Sequence, residues 1–307
     1  MRKKTLLIIG GTGFFGKSIL DFIIKNKLFK KYNLVIFSRK AKLLNLGKSN
    51  HLIKKISGDI KKVKILPKAD LVIYCSLLKN LKNDILSVKN YFSLAKKIHF
   101  NSKILYISSG AVYGELFKNV TENYKNITKY KSSNYKKNYS RAKIVNEKKF
   151  QELGRLGVNV SIARCFSFVG EHLPYKKYAI KDFINSILLK RSVYIKSNYE
   201  VIRSYLHADD LAKFLLKILK KSNSSCPIYN CGSDDAISIR KLGKLLALKY
   251  NLKFKEQSIY KNNLDYYVPN INKFRKEFKF YKKLNSYYAV IKTINKIKKN
   301  IYKNMKQ

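Results

Sequence analysis

The chain has 307 residues, enough for one large α/β core and a smaller second lobe, and its 46% hydrophobic content excludes a disordered polymer. No stretch reaches the roughly 18 apolar residues that a membrane-spanning helix needs, so no membrane insertion is expected. The formal net charge of +48 admits nucleic acid as a partner, but only nine of the 66 basic residues are Arg. Lys is scattered along the whole chain beside abundant Asn, Ile and Tyr, a pattern of AT-rich codons, and no specific nucleic-acid partner is expected.

Thr5–Ile9 is a short, continuously apolar run, as a strand buried on both faces of a parallel sheet reads. The basic head before it imitates a secretion signal. The apolar part is too short for one and leads directly into a glycine-rich turn. Lys17–Lys27 carries apolar residues at 19, 20, 23 and 24, the spacing of an amphipathic helix. Further strands are predicted at Leu34–Phe37, His51–Ile56, Leu71–Cys75, Ile104–Ser108 and Val158–Ala163, with helices near 84–98 and 136–154. Strand alternating with helix predicts an α/β fold, a Rossmann-type doubly wound parallel sheet. After about residue 165 the alternation weakens. Ala179–Lys190, Asp209–Lys221 and Ser238–Tyr250 read as helices, 193–196 and 228–231 as short extended pieces, and 283–307 as a basic helical tail. The expected division is residues 1–165 for the large domain and 166–307 for a smaller C-terminal lobe, with some segments returning to the large one. Four cysteines (Cys75, Cys165, Cys226, Cys231) form no CxxC pair and have no His ligands at zinc spacing. No disulfide or metal site is predicted, and a reducing cytoplasm is the expected compartment.

The turn between the first strand and helix is Gly10-Gly11-Thr12-Gly13-Phe14-Phe15-Gly16. Gly10 permits the tight turn, Gly13 lets backbone approach a pyrophosphate, and Gly16 lets the helix pack closely on the strand. The helix N-terminus offers N–H groups and partial positive charge to phosphates. Gly10, Thr12, Gly13, Phe14, Phe15 and Gly16 are therefore the candidate dinucleotide cradle, and residues 1–165 a candidate NAD(P)-binding domain. The second strand ends in Phe37-Ser38-Arg39-Lys40, with no carboxylate for a ribose 2′-OH. Arg39 could clamp a 2′-phosphate, which favours NADP over NAD.

Tyr139 and Lys143 are spaced i, i+4 and share one helix face. An ammonium beside a phenol stabilises the phenolate, so a lowered Tyr139 pKa is expected and the pair could exchange a proton while hydride passes to or from nicotinamide. The pattern is weak alone in a chain with 23 Tyr. It gains weight from Ser108-Ser109-Gly110-Ala111-Val112-Tyr113-Gly114, which follows the fifth strand at the carboxyl edge of the sheet, where ligands of this fold bind. A Ser hydroxyl there can hold a substrate oxygen.

From Thr5 to about Phe280 the chain resembles the extended short-chain dehydrogenase/reductase superfamily, specifically the NAD-dependent epimerase/dehydratase family. The resemblance rests on the Gly10/Gly13/Gly16 turn, Gly58-Asp59-Ile60, Ser108–Gly114, Tyr139…Lys143 and Arg203–Ala212. Tyr229–Ser233 and Tyr267–Asn270 add to it. It implies a nucleotide-sugar substrate, with Ser109, Tyr139 and Lys143 as the catalytic trio and Tyr139 and Lys143 also touching cofactor. It further implies that Asp59 and Ile60 lie at the adenine, and that Arg203 binds the substrate diphosphate. Three departures matter. The Asp-Glu pair that 4,6-dehydratases carry after the Ser is Gly110-Ala111 here. The Asn of the Arg-x-x-Asn-x-x-Gly segment is Ser167, which leaves its substrate contact uncertain. The ribose-binding acid is missing.

The trio is read first as that of an NAD(P)-dependent epimerase acting at a sugar carbon, C4 of an NDP-hexose, with an NADP-dependent reductase of NDP-4-keto-6-deoxy sugars, which shares the trio, as the alternative. Ser-Gly-Ala-Val-Tyr-Gly leans to the epimerase and Arg39 to the reductase. A non-catalytic, cofactor-sensing or nucleic-acid-binding Rossmann protein is the alternative of another class, and needs no proton-transfer residues. His207 is read as a packing or hydrogen-bonding residue and His172 as a loop residue that could touch substrate. A homodimer stays open.

Overall fold

The computed structural model describes residues 2–78, 80–124, 134–174, 178–259, 263–279 and 282–305. The chain forms two compact units. The first comprises residues 1–114, 124–165 and 212–231; the second comprises 115–123, 166–211 and 232–307. No helix among the described residues is long and apolar enough to cross a membrane.

The first unit is built in chain order from β1 (Lys4–Ile9), α1 (Phe14–Lys25), β2 (Tyr32–Ser38), β3 (Ile53–Ser57), β4 (Leu71–Tyr74), α2 (Leu81–Ile98), β5 (Lys103–Ser109), α3 (Asn134–Arg155) and β6 (Asn159–Cys165). The chain then leaves for β7 (Phe168–Val169), α4 (Ala179–Leu188), β8 (Val193–Ile195), β9 (Glu200–Arg203) and β10 (Leu206–His207). It returns through α5 (Ala208–Lys220) and β11 (Ile228–Cys231). The remainder is β12 (Ile237–Ser238), α6 (Ile239–Lys249), β13 (Phe254–Glu256), β14 (Leu264–Tyr267), α7 (Asn272–Phe278) and α8 (Ser286–Met305). The sequence-predicted basic tail is thus helical to Met305, and residues 306–307 lie outside the described residues.

Seven strands of the first unit form one sheet in the order β11-β6-β5-β4-β1-β2-β3, and every pairing is parallel. Leu6–Ile9, Leu34–Phe37 and Leu71–Tyr74 are buried throughout, as expected for strands covered on both faces. Each such Leu or Ile contributes about 1.5–3 kcal/mol of burial. One side of the sheet carries an aromatic cluster in which Tyr106 stacks on Phe150 at 4.3 Å and Tyr74 packs on Tyr91 at 4.9 Å. The order reverses at β1, between β2 and β4, which makes the carboxyl ends of β1 and β4 the switch point where such sheets take ligands. The extended piece at 228–231 is the seventh strand, in register with β6 from Ile228↔Ile162 to Cys231↔Cys165. The second unit holds three small sheets, β10-β7, β12-β9-β14 and β13-β8.

Candidate active site

The glycine turn closes on itself through the Gly13 N–H to the Gly10 carbonyl at 3.0 Å, and the Gly10 N–H bonds the Phe37 carbonyl at 2.8 Å. Gly10 sits at φ +91°, and an added Cβ would lie 2.6 Å from the Ser76 backbone nitrogen. A Cβ on Gly16 would lie 2.4 Å from the Gly11 Cα, so α1 meets the turn after β1 there with no room for a side chain. A Cβ on Gly13 would meet only the Gly10 carbonyl at 3.3 Å, so the turn is open on that side. Gly13 is also the N-cap of α1, and no side chain caps it. This is a cradle of the kind a pyrophosphate fills. Phe14 is buried behind it, and Phe15 packs edge-on at 5.5 Å. Thr12 is hydrogen-bonded through its hydroxyl to Ser38 at 2.9 Å, tying the turn to the end of β2. Arg39 follows, exposed. Asp59 is half-buried and accepts the Lys61 N–H at 2.9 Å, and Ile60 is buried.

Ser109 ends β5 and caps the short turn Gly110–Tyr113, accepting the Ala111 N–H at 3.2 Å. Its hydroxyl also lies by the Tyr139 phenol on α3, near enough to favour the phenolate. Tyr139 is half-buried and stacks on Tyr135 at 6.3 Å. Burial pushes its phenol up to about 12, and the Ser109 hydroxyl opposes that rise only in part. The lowered value expected from the sequence is therefore not realised, because burial outweighs the groups that favour the phenolate. Lys143, one turn on, lies 6.0 Å from the Tyr139 ring but donates to the Tyr106 hydroxyl at 3.2 Å and the Ile107 carbonyl at 3.5 Å. Burial works to neutralise its ammonium; Tyr106, Asp84 and Glu147 outweigh burial and hold its pKa above the ordinary lysine value.

The second unit carries the other predicted residues. Arg203 ends β9. Its Nη1 donates to the Ile202 and Asp265 carbonyls at 2.9 and 2.7 Å, and its Nη2 to the Asp265 carboxylate at 2.7 Å. It lines a cleft of about 210 Å³ with Asp182, Tyr194, Lys196, Tyr199 and Asp265. Ser167 is half-buried, and its carbonyl accepts the Leu206 N–H at 3.2 Å where β7 and β10 pair. His207 is buried and its Nδ1 accepts the Asp209 N–H at 3.1 Å. His172 is half-buried beside Glu171 at 3.8 Å.

The profile of the NAD dependent epimerase/dehydratase family matches residues 6–232. The chain belongs to this family, and it is an enzyme of that family. A curated protein of Methanocaldococcus jannaschii, whose provisional name is UDP-glucose 4-epimerase, is 26% identical over 277 residues, covering 83% of this chain and 85% of that one. The dTDP-glucose 4,6-dehydratase of Bacillus anthracis, solved with NAD, superposes with a TM-score of 0.82 at 17% identity over 97% of each chain. The UDP-glucose 4-epimerase of Thermotoga maritima, solved with UDP-glucose, gives 0.79 at 18% identity over 97% of this chain and 99% of that one. These likenesses establish the Rossmann-like fold of the epimerase/dehydratase family for this chain.

Several residues around the trio escaped the sequence reading. Glu147 is buried one turn beyond Lys143 and binds Arg164 through Nε at 3.1 Å and Nη2 at 2.8 Å. Its Oε1 accepts the Ser108 hydroxyl at 2.6 Å. The Arg164 guanidinium lies 4.7 Å from the Tyr113 ring, whose hydroxyl donates to Asn230 at 2.8 Å. This network braces β5, the Ser109 turn, α3, β6 and β11. The spacing Tyr139, Lys143, Glu147 was a signal for Glu147, because all three share one helix face. Asp84 and Asn146, also buried, had no such local signal.

Proposed function

We propose that this enzyme is a nucleotide-sugar epimerase that works by hydride transfer at a sugar carbon, C4 of an NDP-hexose. The Ser109 hydroxyl set against the Tyr139 phenol, with Lys143 one turn on, carries the reading. Together these groups stand at the carboxyl end of β5, where the fold takes ligands. The open side at Gly13 and the uncapped start of α1 fit a nicotinamide dinucleotide, held by Gly10–Gly16 with Asp59 and Ile60 at its adenine. Bound there, that group supplies and takes up hydride. Ser109 holds the sugar oxygen. Tyr139 takes the hydroxyl proton as the carbon becomes a carbonyl, and returns it when hydride comes back to the opposite face. Lys143 supplies positive charge next to the phenol. Arg203 is the candidate for the diphosphate, and Ser167 for a further substrate contact. Gly110 and Ala111 offer no carboxylate for removing water, which speaks against 4,6-dehydration.

A second reading, an NADP-dependent reductase of 4-keto sugars, draws on two observations. A phenol raised to about 12 is protonated at neutral pH and ready to act as an acid on a ketone. Arg39 is exposed and engaged by no carboxylate among the described residues, as a clamp for the 2′-phosphate would be. Turnover of UDP-glucose, UDP-galactose and 4-keto sugars with each cofactor tests both readings. An epimerase interconverts sugars with no net change in reduced cofactor, whereas a reductase consumes it. In either case Tyr139→Phe should cut turnover by about 10²–10⁴ with cofactor binding nearly intact. Unchanged turnover in that variant removes Tyr139 from the mechanism.

A further inference from the structure

We propose that Asp84, acting through Asn146 and Tyr106, positions Lys143 and is the buried counter-ion of its ammonium. The inference rests on reading Lys143 as a site residue. Asp84 lies in the first turn of α2 and is 1% exposed. One carboxylate oxygen accepts the Leu78 N–H at 2.9 Å, and the other accepts Asn146 Nδ2 at 3.0 Å. Asn146 also faces the Tyr106 phenol, and that phenol oxygen accepts the Lys143 ammonium at 3.2 Å. All four side chains are buried, so carboxylate and ammonium are linked through two neutral groups inside the core.

A simpler role for Asp84 is to close the loop before α2, since a carboxylate suits a helix N-terminus and takes the Leu78 N–H. That role leaves the second oxygen unexplained, turned inward to Asn146. It also leaves a buried carboxylate without a cation, at a cost of several kcal/mol. The charge balance of the interior supplies the missing partner. The groups facing Lys143 are Tyr106 from β5, Asp84 from α2, Tyr139 and Glu147 from α3, and Cys75 after β4. Glu147 is already matched by Arg164 in direct contact. Among the described residues, Asp84 has no cation in contact, and Lys143 no carboxylate. The relay pairs the two that remain. Its chemical value lies in the distance. Direct contact would bind the ammonium to a carboxylate and hold it back from Tyr139. The relay keeps Lys143 charged while only a phenol and a carbonyl hold it.

The test uses Asp84→Asn, Lys143→Met and the double variant in the full chain. Asp84→Asn keeps an acceptor for the Leu78 N–H, removes the charge and turns an amide NH2 towards Asn146, a change that is the same in both backgrounds. We expect it to lower Tm by about 6–12 °C when Lys143 is present, because the buried ammonium is then unmatched. In the Lys143→Met background the same change should cost clearly less, because only the rearranged contact with Asn146 remains. An equal loss in both backgrounds would overturn the proposal, leaving Asp84 as a loop closure. A second readout is reduced-cofactor affinity against pH. With Asp84 neutral, one of the groups that oppose burial is gone and Lys143 gives up its proton at lower pH. Asp84→Asn should therefore lose about tenfold in affinity towards alkaline pH where wild type holds steady. A flat profile overturns the proposal. Should Asp84→Asn not fold, Asn146→Ala cuts the relay with both charges kept, and the same alkaline loss or its absence decides. Lys143→Met with unchanged cofactor affinity would count against Lys143 as a site residue, while the Tm cycle still reads the pairing.

Discussion

Arg164 and Lys143 are two buried cations of the same unit, and the fold matches them in opposite ways. Arg164 meets Glu147 directly, two nitrogens on one carboxylate, and its guanidinium faces the Tyr113 ring. Such a fork fixes position as well as charge. Lys143 meets only a phenol and a carbonyl, with its carboxylate two groups away. On the function proposed above, the contrast separates holding a structure from serving a reaction. The first cation ties three strands to a helix. The second keeps its charge, and its contacts are ones that a ligand can replace.

The largest effect should come from breaking the direct pair. Glu147→Ala strands the Arg164 guanidinium in the core and should cost about 3–5 kcal/mol in denaturant unfolding. A loss below about 1 kcal/mol would mean that the brace carries no weight and that the two cations do not differ as described. Arg39 extends the comparison to an exposed cation. Arg39→Ala should leave stability within about 0.5 kcal/mol yet cost roughly ten- to a hundredfold in NADP affinity, the worth of a charged hydrogen bond. Titration of both cofactors checks this, and a variant that keeps the wild-type preference would refute it. The dispersed lysines complete the series. They should give only weak, sequence-indifferent binding to DNA or RNA, falling steeply between about 50 and 200 mM salt by counterion release. Tight, sequence-selective binding that survives the higher salt would revive a non-enzymatic role.

What the sequence made legible was local. The Gly10–Gly16 turn could be read because a tight turn and a close helix–strand approach each demand glycine at a fixed place. Strands β1, β2, β4 and β5 could be read because burial on both faces leaves apolar runs, whereas β3, an edge strand carrying Lys54 and Lys55, and β6, broken by Asn159 and Ser161, gave weaker ones. Tyr139 and Lys143 could be read from helical spacing. The rest depended on contacts that sequence distance hides. Asp84 and Asn146 are 62 residues apart, and nothing near either announces the other. The phenol was expected to be lowered by its lysine. In the fold Lys143 turns to Tyr106, and burial decides the direction. The strands β7, β9, β10, β12 and β14 are two to four residues long, too short to show a period of two. Residues 228–231 were legible as extended, but their place beside β6 was not, because the chain passes through the whole of β7–β10 before returning.

That return has a consequence for biosynthesis. A ribosome delivers β6 long before β11, and most of the intervening chain, residues 166–211, belongs to the second unit. Until Ile228–Cys231 emerge, the outer row of amides and carbonyls on β6 is only partly paired, since the strand's permanent neighbour on that side has not been made. An unpaired parallel edge rich in Val, Ile and Ala is a template for another chain. The nascent protein is therefore most exposed to aggregation during translation of residues 166–227, and a stalled or truncated product ending in that window keeps its first six strands but not the one that seals them.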